Sequence, residues 1–249
     1  MSVAYSVRIR YTKAGRVRFV SHRDVARLFE RAMRKLRLPV TYTEGFSPRP
    51  KLSFGLALTV AHESEAEYLD VELSQPIDLE ALPAELTAAL PDGMAVEAAI
   101  AIEPGTTSLQ QAIVSCEWSI EIIGATEPGI RASLVEVMAA SELPMERTRK
   151  GKSTVADVRP AILHLEIMGP TVDGVELAAH LATESVSLRP AELVQLFGAD
   201  LVEGSLVEGK VLVEGRVRRL KQWMIVDGAR CEPVSPPGSS TRPALVRAS

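Results

Sequence analysis

Apolar and polar residues alternate where the chain begins: Tyr5, Val7, Ile9 and Tyr11 against Ser6, Arg8 and Arg10. A period of two predicts a strand with one apolar and one basic face. Gly15 turns the chain, and Val17 and Phe19, alternating with Arg16 and Arg18, extend the pattern. Ser21 then stands where a helix cap is wanted, with Asp24 three residues on. Val25, Leu28, Phe29, Ala32, Met33 and Leu36 recur at helical spacing, which leaves Arg23, Arg27, Arg31 and Arg34 on the opposite face. Beyond Pro39 lies the loop Tyr42-Thr-Glu-Gly-Phe-Ser-Pro-Arg-Pro-Lys51. Leu52, Phe54, Leu56 and Leu58 predict a second strand, and Leu69, Val71 and Leu73 a third. Asp78 opens a helix that runs to Leu90, stopped by Pro91-Asp92-Gly93, and Met94 to Ile102 read as a fourth strand. The order is β-α-β-β-α-β, the ferredoxin-like arrangement of an α+β protein.

Glu103 to Ser108 have the composition of a linker, and after them the pattern partly repeats. Ile113 to Ile123 predict a long strand, and Pro128-Gly129 opens a helix that runs to Ala140. Met145–Lys150 and Val155–Ile167 predict two strands around Gly151, Val175–Leu181 a further one, and Arg189 starts a short helix that ends at Gly198. The expected organisation is a basic ferredoxin-like lobe over residues 1–105 and a second, less regular ferredoxin-like lobe over 106–234. A tail of disordered composition follows over 235–249.

Charge is distributed unevenly. The net charge is −4, yet residues 1–54 hold 13 Lys/Arg against 3 Asp/Glu, while residues 55–249 hold 15 against 29. A basic half on an acidic chain points to a polyanion-facing surface. Two well-separated cysteines, Cys116 and Cys231, make neither a disulfide framework nor a metal site and fit a reducing compartment. No apolar run reaches a membrane span, and the N-terminus passes straight into a strand pattern, so a cytoplasmic protein is expected.

No catalytic constellation, metal-ligand spacing or cofactor motif is legible, and no cofactor is expected. His164 alternates with apolar residues, as a packed strand histidine does. The carboxylates Glu63, Glu65, Glu67, Asp70 and Glu72 read as surface charge. Two basic clusters remain. The first joins Arg8, Arg10, Arg16, Arg18, His22, Arg23 and Arg27 to Ser47, Arg49 and Lys51 of the loop, a set expected to converge at one end of the sheet. Rigid arginines near a helix N-terminus suit phosphate by charge and by bidentate geometry, and Tyr42 and Phe46 beside them suit stacking on bases. The second, Arg147, Arg149, Lys150, Lys152 and Arg159, places cations on a hairpin.

Three blocks of residues carry a resemblance: Ser21-His22-Arg23-Asp24, Gly45 to Lys51, and Glu63 to Asp70. With Lys152, Asp157, Arg159 and Pro160 they resemble the bacterial radical-SAM-associated, or radical-SAM-linked, protein family, over roughly the first 230 residues. The resemblance implies a domain without an assigned activity of its own, fused to a radical SAM enzyme or free-standing. It also implies partners in a separate radical SAM enzyme or a ribonuclease of the E/G type. The chain has no Cys-x-x-x-Cys-x-x-Cys run to ligate a radical SAM cluster. The N-terminal block is also similar in pattern, more distantly, to the ferredoxin-like CRISPR repeat-processing endoribonucleases. The expected function is that of an accessory protein binding structured RNA, tRNA or ribosomal RNA. The alternatives are an RNA-acting enzyme using His22 and the Arg49–Lys51 loop, and a docking module for a protein partner.

Overall fold

In the computed structural model the described residues are 5–103, 105–149, 151–184, 186–202, 205–208 and 212–235. Lys150 and the tail beyond Ser235 lie outside them. Strands predominate over helices. The chain divides into two compact units, one made of the described residues of 1–114 with those of 221–249, the other of 115–220. The sequence places the boundary near residue 105 and gives no sign that the chain's end returns to the first unit.

The first unit starts with β1 (Tyr5–Lys13), α1 (His22–Lys35), β2 (Leu52–Phe54), β3 (Glu63–Leu73), α2 (Leu82–Ala89), β4 (Met94–Ile102) and the single turn α3 (Leu109–Ala112). Strand β1 pairs antiparallel with β3 on one side and β4 on the other, and β2 pairs with β3. Val7, Ile9 and Tyr11 of β1 and Leu69, Val71 and Leu73 of β3 bury one face against Val25, Phe29, Ala32 and Met33 of α1 and Leu82 and Leu86 of α2. The Ser21 hydroxyl accepts from the Asp24 amide and donates to its carboxylate, which holds the first turn of α1.

Val17 and Phe19 do not extend a strand. Gly15–Phe19 forms a 3-10 helix. The buried Lys13 ammonium causes this by donating to the carbonyls of Arg18 and Val20 and winding the segment around itself. Gly93, at φ +92°, closes against the same segment: a Cβ there would collide with the Ala14 carbonyl and the Val17 side chain. The second strand is also shorter than the alternation suggests, ending at Phe54.

The second unit carries β5 (Ile113–Ile123), α4 (Glu127–Ala139), β6 (Pro144–Arg149), β7 (Lys152–Asp157), β8 (Ile162–Pro170), β9 (Gly174–Ala182), α5 (Pro190–Gly198), β10 (Ala199–Val202), β11 (Ser205–Glu208) and the first half of β12 (Val213–Val226). Strand β9 pairs antiparallel with β5 and with β8, while β6 and β7 form a hairpin of their own, as do β10 and β11. The strand expected over 155–167 is broken in two at Arg159–Ala161, where Pro160 starts a 3-10 turn. The expected packing of His164 does not hold either: its side chain is 64% exposed, facing Glu166 at 3.8 Å.

The rest of β12 and β13 (Ala229–Cys231) complete the first unit. There the Gln222 amide donates to the Ala66 carbonyl of β3, and Met224 to Val226 pair with β13. Among the described residues no helix is long and apolar enough to cross a membrane.

Candidate nucleic-acid interface

The face of β1 that the sequence reads as open and basic is closed. Arg8 and Arg10 are 2% and 5% exposed. Arg8 holds both oxygens of Asp70, Nε to Oδ1 at 2.8 Å and Nη2 to Oδ2 at 2.9 Å. Arg10 donates to Glu97 at 2.7 Å, to the Tyr68 hydroxyl at 2.7 Å, to Glu232 at 2.6 Å and to the Glu65 carbonyl at 3.0 Å. Burial on its own would make Arg10 less basic. The facing Tyr68 and the carboxylates of Glu232 and Glu97 more than reverse that and raise its pKa. Both guanidinium groups are therefore consumed by acids of their own unit. Glu63 and Glu67, read from the sequence as surface charge, are 2% and 5% exposed. Burial makes the neighbouring Lys13 less basic than an ordinary lysine, with Glu67 opposing the effect.

The exposed cations lie on α1, ahead of it and in the loop that follows. Arg16 is exposed, and half-buried Arg18 stacks on the Phe19 ring at 4.7 Å while reaching Glu63 at 3.5 Å. Phe19 is itself 59% exposed, a placement hidden from strand alternation because it follows from the 3-10 turn. His22 opens α1, exposed, with its ring edge-on to Phe54 at 5.2 Å. Arg23, Arg27, Arg31 and Arg34 form the outer face of the helix as their spacing predicts, and Arg27 bonds Asp24 at 2.9 Å.

The Tyr42–Lys51 loop is a small hairpin. Tyr42 bridges Pro50, the Thr43 amide donates to the Arg49 carbonyl at 2.8 Å, and the Arg49 amide donates to the Thr43 hydroxyl at 3.0 Å. Gly45, at φ +120°, makes the tip. Ser47 and Arg49 are exposed, Phe46 fully so, and Tyr42 45% so. Arg49 has no acidic partner among the described residues. Lys51 pairs with Glu72 at 2.8 Å, both about 40% exposed.

The two parts of the first cluster do not converge at one end of the sheet. His22 meets the far end of β2 at Phe54, whereas Lys51 precedes its near end, a separation of about 10 Å by strand rise. At the near end, Ser6, Lys51, Ser53, Asp70, Glu72 and Glu103 line a cavity of about 430 Å³ at the foot of the hairpin.

Of the second cluster, Arg147 donates to the Ser187 carbonyl at 2.6 Å and to Glu192 at 3.0 Å. Arg159 donates to the carbonyls of Ile162 and Met138 at 2.9 and 3.1 Å. Both hold the second unit together. Arg149 stands opposite Lys152 in the β6–β7 register, and Lys152 is exposed.

Among solved structures a mutant of Cas6 is similar, at 15% identity over 87% of this chain and 98% of that one, with a TM-score of 0.23. No curated protein matches the sequence. Residues 6–190 do match the model of the family of uncharacterized proteins conserved in bacteria known as DUF2344, and the chain belongs to that family.

Proposed function

We propose that the protein is an accessory factor that binds structured RNA, tRNA or ribosomal RNA, through the outer face of α1 and the Tyr42–Lys51 hairpin of a ferredoxin-like first lobe. The observation that carries this reading is the pairing of exposed cations with exposed rings. Arg16 and Arg23 flank Phe19 at three and four residues, Tyr42 and Phe46 precede Arg49 in one hairpin, and all six are exposed. Guanidinium groups neutralise phosphates and release counterions, while rings exposed to water stack on unpaired bases. A hairpin stiffened by Pro48 and Pro50 loses little entropy when it docks. Arg8 and Arg10 have no part in this surface.

Crosslinking in cells followed by sequencing of the bound RNA tests the reading. A defined set of tRNA or ribosomal RNA sites is expected, lost with Arg23→Ala and Arg49→Ala. A profile no different from background overturns it. Copurification with and without ribonuclease treatment reads out the implied protein partners, a radical SAM enzyme or an E/G-type ribonuclease: a partner retained after RNA removal is held by protein contact.

A further inference from the structure

We propose that the cavity at the foot of the hairpin is a pocket for one guanine nucleoside. Its volume of about 430 Å³ suits a single small ligand and not a duplex. Its floor is set by register. Ser6 of β1 stands opposite Glu72 of β3, and Ser53 of β2 opposite Asp70. The wall on one side is Lys51 with Glu72, and on the other Glu103 at the end of β4.

The charges decide what fits. Asp70 is held by Arg8 and Glu72 by Lys51, so these two pairs are neutral. Glu103 adds a negative charge with no side-chain partner among the described residues. With both pairs neutral, Glu103 leaves the lining one net negative charge, which disfavours a phosphate. The ligand must instead bring hydrogen-bond donors, because the lining is rich in acceptors. Glu72 uses only Oε2 for Lys51, which leaves Oε1 open. The hydroxyls of Ser6 and Ser53 have no partner among the described residues.

Guanine is the base that presents two adjacent donors, N1–H and the 2-amino group, to a carboxylate. Adenine and cytosine present a donor beside an acceptor, and uracil a donor between two acceptors, so each sets a carbonyl or ring nitrogen against a carboxylate. Glu72 and Glu103 are the two carboxylates that can take the guanine edge, with Ser6 and Ser53 left for the ribose hydroxyls. Lys51 orients Glu72 through its bond to Oε2. The pocket rests on the RNA reading in one respect: in RNA the nucleoside is an unstacked guanosine, its phosphates outside the pocket toward Arg49. Such splaying of single bases is the usual way that proteins read RNA sequence.

Titration of the full chain with guanosine, inosine, adenosine and cytidine, followed by calorimetry, tests the pocket. Short unstructured RNAs with and without a single guanosine are titrated alongside. Guanosine is expected to saturate one site, with inosine, which lacks the 2-amino group, at least tenfold weaker. Glu72→Gln or Glu103→Gln is expected to lower guanosine affinity at least tenfold, and Ser6→Val, which fills the floor, to abolish it. All three are checked for an unchanged melting temperature. Guanosine binding no better than adenosine, or unaltered in every variant that folds, overturns the pocket, and with RNA binding intact the RNA reading stands without it. Guanosine binding in a chain that fails to bind any of the RNAs keeps the pocket and removes the RNA reading.

Discussion

Arg8 of β1 and Asp70 of β3 stand directly opposite in register and close a two-pronged ion pair whose side chains are 3% and 17% exposed. Removing one partner leaves a buried charge with nothing to compensate it, whereas removing both leaves none. Asp70→Ala is therefore expected to cost about 3–5 kcal/mol, and Arg8→Met with Asp70→Leu about 1 kcal/mol or less. Chemical denaturation of the two variants checks this. Equal losses would mean that the pair is not what holds these strands.

Arg49→Ala combined with Lys51→Ala separates a phosphate clamp from a structural staple. Arg49 has no acid to lose, and the Lys51–Glu72 pair is exposed enough that it contributes at most about 1 kcal/mol. The melting temperature is expected to fall by no more than a few degrees while RNA affinity falls tenfold or more. Early melting with normal affinity of the folded fraction sinks the clamp.

Phe46 is a full side chain in water at the tip of a stiff hairpin. Phe46→Ala is expected to leave stability unchanged and to weaken RNA binding by about 1–3 kcal/mol, the size of a single base stack. Phe46→Trp is expected to retain binding, with its fluorescence quenched on adding RNA. An alanine variant that binds normally removes the hairpin tip from the interface.

On α1, Arg23→Ala and Arg27→Ala are expected to flatten the dependence of log affinity on log salt by about 0.7–0.9 units for each phosphate that is no longer neutralised. Arg27 is shared with Asp24, so Arg23 is expected to show the larger change. An unchanged slope assigns this face to water.

Tyr68 sets an alkaline limit. Burial raises its pKa well above the ordinary value, and Glu232 and Glu67 push the same way against Arg10. The folded state thus keeps a proton that the unfolded state gives up above pH about 10. The stabilisation is present below that pH and is lost as pH rises through and beyond it. Denaturation midpoints between pH 9 and 11.5 are expected to fall for the native chain and to fall less steeply for Tyr68→Phe. Parallel curves would assign the loss to other groups.

Local signals in the sequence located α1, its Ser21 cap and its outward arginines, because a helix is written in spacings of three and four. They also located the stiff, exposed loop from Tyr42 to Lys51 through its prolines, but not the Tyr42–Pro50 pairing that makes it a hairpin. They missed the fate of Arg8 and Arg10. Alternation says that these side chains share a face, but not that Asp70, Glu97 and Glu232, between 62 and 222 positions away, wait on it. Phe19 was hidden for a related reason: the lysine that winds its segment acts through main-chain carbonyls. Strand β12, with Arg216, Arg218, Arg219 and Lys221 scattered through it, has no clean period for a reader to find.

Because the first unit takes its last strands from beyond Lys221, it cannot be finished when its first 114 residues leave the ribosome. At a synthesis rate of about 5–20 residues per second, Arg10 emerges roughly 10–40 seconds before Glu232 does. Through that interval a guanidinium destined for the interior lacks one of its two carboxylates. The second unit, encoded without interruption, has all its residues first, so the order of maturation in the cell runs against the order of the gene.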